Sequence, residues 1–65
     1  MQSRQWLIDS RIKIGLTQQE VSSKINISRA HYTNIENGTR RPSPELAKAI
    51  GNVLNIDWEN FYETV

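Results

Sequence analysis

The stretch from Thr17 to Ile35 restricts the chain more than any other, because it spells out two short helices and the turn between them. Thr17-Gln18-Gln19-Glu20 is a T-x-x-E capping box: the hydroxyl accepts from the backbone N–H three residues on, while the glutamate reaches back to the cap residue. A helix therefore starts at Thr17, and Val21, the small Ser22 and Ile25 face inward from it. Asn26 ends it, since asparagine tolerates the left-handed backbone of a tight turn. Ile27 then plugs the turn, Ser28 caps the next helix, and Tyr32 and Ile35 are that helix's buried positions. Two helices can cross this closely only if fixed positions are apolar, one is small and the turn residue can go left-handed. All of these residues are present.

The flanking sequence extends the helical reading in both directions. Before the pair, Leu7, Ile8, Arg11 and Ile14 form one stripe at helical spacing, so a helix is expected from about Ser3 to Ile14, ended by Gly15. Trp6 and Ile12 lie at the flanks of that stripe, as extra core or as a partner contact. After the pair, Asn37-Gly38 stops the chain and Thr39, Arg40, Arg41 and Pro42 form a basic loop. Ser43-Pro44 then reads as a cap followed by proline at the first helical position, where its missing N–H costs nothing. Leu46, Ala47, Ile50, Val53 and Leu54 make the core face of this fourth helix, in which Gly51 either admits a close neighbour or simply lowers helicity. Asp57 caps a last short helix carrying Trp58, Phe61 and Tyr62. The expected fold is all-α, five helices in one domain over residues 1–65.

A chain of 65 residues is near the size at which a lone core becomes marginal. With no Cys and a single His, neither disulfides nor a protein-built metal site can help, so helix packing and a partner subunit are expected to supply the stability. No N-terminal apolar run resembles a signal peptide or a membrane span, which points to the cytoplasm. The formal net charge is only +1, but it is unevenly spread. Residues 1–42 carry seven basic and three acidic groups, a net +4, whereas residues 43–65 carry Lys48 against four acids, a net −3. A basic front and an acidic rear would turn the first face toward a polyanion. Catalysis has no support, because there is no paired His and carboxylate and no glycine-rich phosphate loop.

The stretch Arg11-Ile12-Lys13-Ile14-Gly15-Leu16-Thr17-Gln18, the helix pair itself, and Ile35-Glu36-Asn37-Gly38 followed by Arg40-Arg41-Pro42 together resemble the phage repressor and Cro-type helix-turn-helix family, the XRE-like DNA-binding domains. Nearly the whole chain takes part. Two departures are Asn26, where glycine is commoner, and Ser22, where alanine is usual. The resemblance implies a compact, repressor-like domain and a salt bridge between Arg11 and Glu36, either as a tie between helices or as a way of aiming Arg11 at a phosphate.

If the third helix enters the major groove, Arg29, Ala30, Thr33 and Asn34 reach base edges. Their chemistry suits base reading, since Arg29 can chelate guanine O6 and N7, Asn34 can pair with adenine, and the methyl of Ala30 or Thr33 can meet a thymine methyl. Gln18 opens the second helix, where free N–H groups and the positive dipole end favour a phosphate, and the family uses the matching glutamine that way. The bland alternative is an exposed helix-former. By the same resemblance Thr17, Ser28, Asn37, Thr39, Arg40 and Arg41 are expected phosphate contacts, with a merely solvated loop as the alternative. His31 beside them reads as a surface residue.

The implied function is a regulator, expected to be a repressor, that binds an inverted-repeat operator in double-stranded DNA as a homodimer. No cofactor, metal or small-molecule ligand is expected. Family dimer contacts gather near the last helix, here Trp58, Phe61 and Tyr62, with Glu59 and Glu63 at the rim. The competing reading is a protein-interaction module such as an antitoxin subunit, for which Trp6, Trp58, Phe61, Tyr62 and Val65 would supply apolar surface.

Overall fold

The computed structural model describes residues 3–62, so Glu63 and Val65 lie outside the described residues. Four α-helices, α1 (Gln5–Ile14), α2 (Gln18–Lys24), α3 (Arg29–Asn37) and α4 (Pro44–Leu54), are followed by a 3-10 helix (Trp58–Tyr62). The fifth element is thus not the α-helix expected. It is a five-residue piece in which Asn60 N–H reaches the Asp57 carbonyl at 3.1 Å and Asp57 Oδ1 accepts from Glu59 N–H at 3.0 Å, the short-range bonding of a tighter turn.

The helix ends follow the residues that predicted them. The capping box is complete, with Thr17 Oγ1 accepting from Glu20 N–H at 3.0 Å and Glu20 Oε1 accepting from Thr17 N–H at 2.8 Å. The Thr17 backbone and side chain hold the Glu20 carboxyl below its ordinary range. Its contribution is therefore present at neutral pH and fades as the pH falls through the carboxylate range. Ser28 and Ser43 cap α3 and α4 through their hydroxyls, and Gly15 and Gly38 close α1 and α3 in the left-handed region. Asn26 adopts φ 62°, the backbone that the turn between α2 and α3 requires, while Ile27 N–H bonds back to the Ser22 carbonyl at 3.0 Å.

Two departures occur in α1. It begins at Gln5 rather than Ser3: Arg4 is the cap residue, with a non-helical backbone (φ −82°, ψ 80°) that turns its N–H to the carbonyl of Glu36 on α3 at 2.7 Å while its own carbonyl accepts from Leu7 N–H at 3.0 Å. Ile14, placed on the core stripe by its spacing, is 45% exposed. It stands at the end of the helix on the rim of an open hollow shared with Ser10, Lys13, Leu54, Asn55 and Ile56, where no described residue covers it.

The core is built from Leu7 of α1, Val21 of α2, Tyr32 and Ile35 of α3, Ala47, Ile50 and Leu54 of α4, and Phe61 of the 3-10 helix. Phe61, an expected dimer contact, is covered within its own chain. Its ring is 5% exposed and packs edge-on against Trp6 at 5.0 Å, so the last turn folds back on α1 and buries that ring within its own chain. Trp58 and Tyr62 are half-buried and meet edge-on at 6.0 Å. The close-approach reading of Gly51 holds: a Cβ there would lie 2.9 Å from the Ile56 carbonyl oxygen and 3.3 Å from Trp58 Cβ. Among the described residues no helix is long and apolar enough to cross a membrane.

Candidate nucleic-acid interface

A chain of polar contacts ties α1, α2 and α3 together beneath the outer face of α3. Arg11 Nε donates to Glu36 Oε2 at 2.6 Å and Arg11 Nη1 to the Leu16 carbonyl at 2.9 Å, which makes the Arg11–Glu36 pair a structural tie. Glu36 is 1% exposed, so its charge must be met inside the protein. Its second oxygen accepts from Gln18 Nε2 at 2.8 Å, and Gln18 Oε1 in turn accepts from Thr33 Oγ1 at 3.1 Å. Gln18 is half-buried and fixed at both ends of its amide, with one Nε2 hydrogen still uncommitted. Neither link to Gln18 was legible in the sequence, which carries no sign of which tertiary neighbours a helix-start glutamine will meet. Tyr32 lies under the same network; burial first, and then the Glu36 carboxylate, push its phenol upward, and its Oη makes no hydrogen bond among the described residues.

The expected base-reading residues share one element but not one environment. Arg29, Ala30 and Asn34 are exposed on α3, whereas Thr33 is half-buried and its hydroxyl is spent on Gln18, leaving its methyl as the group to offer. His31 is half-buried, and its N–H donates to Ser28 Oγ at 3.1 Å. The first turn of α3 contains no acid and starts with Arg29, a cation placed at the positive end of the helix. That arrangement disfavours the isolated helix. A local preference broken without a compensating contact marks a residue retained for something other than stability.

The loop after α3 wraps around the end of that helix. The carbonyl of Asn34 accepts from Thr39 N–H at 3.0 Å, Arg40 N–H at 3.2 Å and Thr39 Oγ1 at 3.1 Å, so the loop and α3 move as one piece. Asn37, Thr39, Arg40 and Arg41 are exposed along it, as are the cap residues Thr17 and Ser28. Arg4, which the sequence gave no reason to single out, adds a third guanidinium nearby: burial and the neighbouring Arg41 both pull its pKa below the ordinary value. Arg4 Nη1 reaches the Arg40 carbonyl at 2.8 Å, so its guanidinium stands beside the loop that exposes Arg40 and Arg41.

Comparison with known proteins gives a consistent set of relatives. The family described as Helix-turn-helix matches residues 7–61. An uncharacterized HTH-type transcriptional regulator, YqaF, of Bacillus subtilis (strain 168) is 50% identical over 62 residues, covering 95% of this chain and 82% of that protein. An uncharacterized HTH-type transcriptional regulator of Archaeoglobus fulgidus is 35% identical over 52 residues, covering 80% of this chain and 74% of its own. No solved structure matches significantly.

Proposed function

The chain belongs to the helix-turn-helix family, and from that premise we propose that it is a cytoplasmic, sequence-specific DNA-binding transcriptional regulator, a repressor that lays α3 in the major groove of an inverted-repeat operator. The observation that carries this is Arg29, exposed in the first turn of α3 against the helix dipole, on the helix that also exposes Ala30 and Asn34. Arg29 is assigned to guanine, Asn34 to adenine, and the methyls of Ala30 and Thr33 to thymine. Gln18 offers its uncommitted Nε2 hydrogen to phosphate, held in aim by Glu36 and Thr33. Thr17, Ser28, Asn37, Thr39, Arg40 and Arg41 complete the proposed backbone contacts, which fix register and carry no sequence information.

One such module touches too few bases for useful specificity, so the active species is proposed to be a homodimer. Trp58 and Tyr62, half-buried on the last helix, are the proposed contacts, and the recognition helices would then sit about 34 Å apart, one turn of DNA.

Selection of bound duplexes from a random pool tests the reading. Enrichment of an inverted repeat with half-sites one helical turn apart is expected, and enrichment of no sequence would turn the assignment toward an interaction module such as an antitoxin subunit. For the loop, Arg40→Ala is expected to weaken binding to all sequences alike and to lower the slope of log K against log salt by about 1. An unchanged slope with an altered base preference would move Arg40 from phosphate contact to base reading.

A further inference from the structure

Two side chains from opposite ends of the described chain converge on one loop. Arg4 Nη1 donates to the carbonyl of Arg40 at 2.8 Å, and Tyr62 Oη donates to the carbonyl of Pro42 at 2.6 Å. Between these anchored carbonyls stands Arg41, exposed, with its guanidinium carbon 5.7 Å from the centre of the Tyr62 ring. Arg4 also donates to the carbonyl of Ile35, through Nη1, and to that of Glu36, through its backbone N–H. A single residue thus joins the end of α3 to the loop that follows it.

We propose that Arg4 and Tyr62 are positioning residues that hold residues 39–42 in the shape that presents Arg40 and Arg41 to the phosphate backbone, an inference that rests on the DNA-binding reading above. Thr39 and Arg40 are tied by their N–H groups to the Asn34 carbonyl of α3, but the stretch beyond them is coil, and with its carbonyls free it would have to be ordered each time DNA is bound. Fixing the carbonyls of Arg40 and Pro42 from inside removes that ordering cost before binding. It also sets direction: with the carbonyls on either side of it tied inward, Arg41 is left pointing out. Its stack on the Tyr62 ring limits the wandering of a long side chain that would otherwise lose entropy on meeting a phosphate. The Tyr62 ring is itself held edge-on by Trp58, so the brace is continuous with the packed interior.

Tyr62→Phe tests this cleanly, because it keeps the ring that packs on Trp58 and under Arg41 and removes a single O–H. Affinity is measured for wild type, Tyr62→Phe, Arg41→Ala and the double variant, on a mixed-sequence B-form duplex over a range of salt, with circular dichroism melts alongside. Tyr62→Phe is expected to weaken binding on the order of threefold to tenfold, the worth of one well-made hydrogen bond. It is expected to cost less than about twofold when Arg41 is already Ala, because the hydroxyl acts through that residue and not beside it. Arg4→Met paired with Arg40→Ala should show the same dependence; if Arg4→Met does not fold, Arg4→Lys, which retains a donor, takes its place.

Wild-type affinity and salt slope in Tyr62→Phe would overturn the inference, as would an equal loss in both backgrounds, which would make the hydroxyl a general support of the fold. Failure of the wild-type protein to bind the duplex or to select any sequence would instead overturn the DNA-binding reading, and this inference with it.

Discussion

Arg11→Ala is expected to destabilise the domain by about 3 to 5 kcal/mol, far more than a substitution at a surface arginine usually costs. The reason lies in its partner. Glu36 is 1% exposed and holds its charge against Arg11, whose Nε and Nη2 donate to it at 2.6 and 3.5 Å, with Gln18 Nε2 at 2.8 Å as the only donor from another residue among the described side chains. Removing the guanidinium leaves a carboxylate inside the protein with one neutral amide for company. It also frees the Leu16 carbonyl, which Arg11 Nη1 holds at 2.9 Å at the exit of α1. For a domain of this length total stability is on the order of 3 to 10 kcal/mol, so the variant should be largely unfolded at a temperature where wild type is intact.

Urea unfolding of Arg11→Ala, Glu36→Ala and the double variant measures it. The double variant should recover much of the loss, since no unpaired charge then remains buried. A loss under about 1 kcal/mol with no coupling is the behaviour of an exposed pair and would reduce the bridge to a surface contact. The pair also reaches the proposed function, because Glu36 anchors the Gln18 amide and the amide in turn receives the Thr33 hydroxyl.

What was legible in the sequence was whatever depends on near neighbours along the chain. The capping box at Thr17, the left-handed turn at Asn26, the serine caps of α3 and α4 and the close approach at Gly51 each follow from a residue type and a short spacing. Arg11–Glu36 came from family resemblance and not from spacing, since nothing local couples residues 25 apart. The parts that stayed hidden are the ones decided by which distant surface arrives. Ile14 has the right period for the core yet ends on an open rim, and Arg4, at the start of the described chain, becomes a clamp on the end of α3. The aromatic cluster at the C-terminal end was the hardest: composition shows that Trp58, Phe61 and Tyr62 need cover but not whether it comes from a second subunit or from Trp6.

Phe61→Ala separates those two possibilities and is expected to cost about 3 to 5 kcal/mol, as the loss of a fully packed phenyl ring does. The ring is 5% exposed, lies edge-on to Trp6 at 5.0 Å and has the Arg4 guanidinium carbon 5.7 Å from its centre, so truncation opens a cavity on one side and unseats a cation on the other. Arg4 would lose the surface on which it rests while reaching Ile35 and Arg40, and the loop after α3 should loosen with it. Thermal melts at several protein concentrations give the reading. Loss of a core residue lowers the midpoint by the same amount at every concentration, whereas loss of an interface residue lowers it by an amount that depends on concentration, because stability is then shared with association. A melt close to that of wild type, or a deficit that changes with dilution, would return Phe61 to the subunit interface and leave Trp6 without the partner that now covers it.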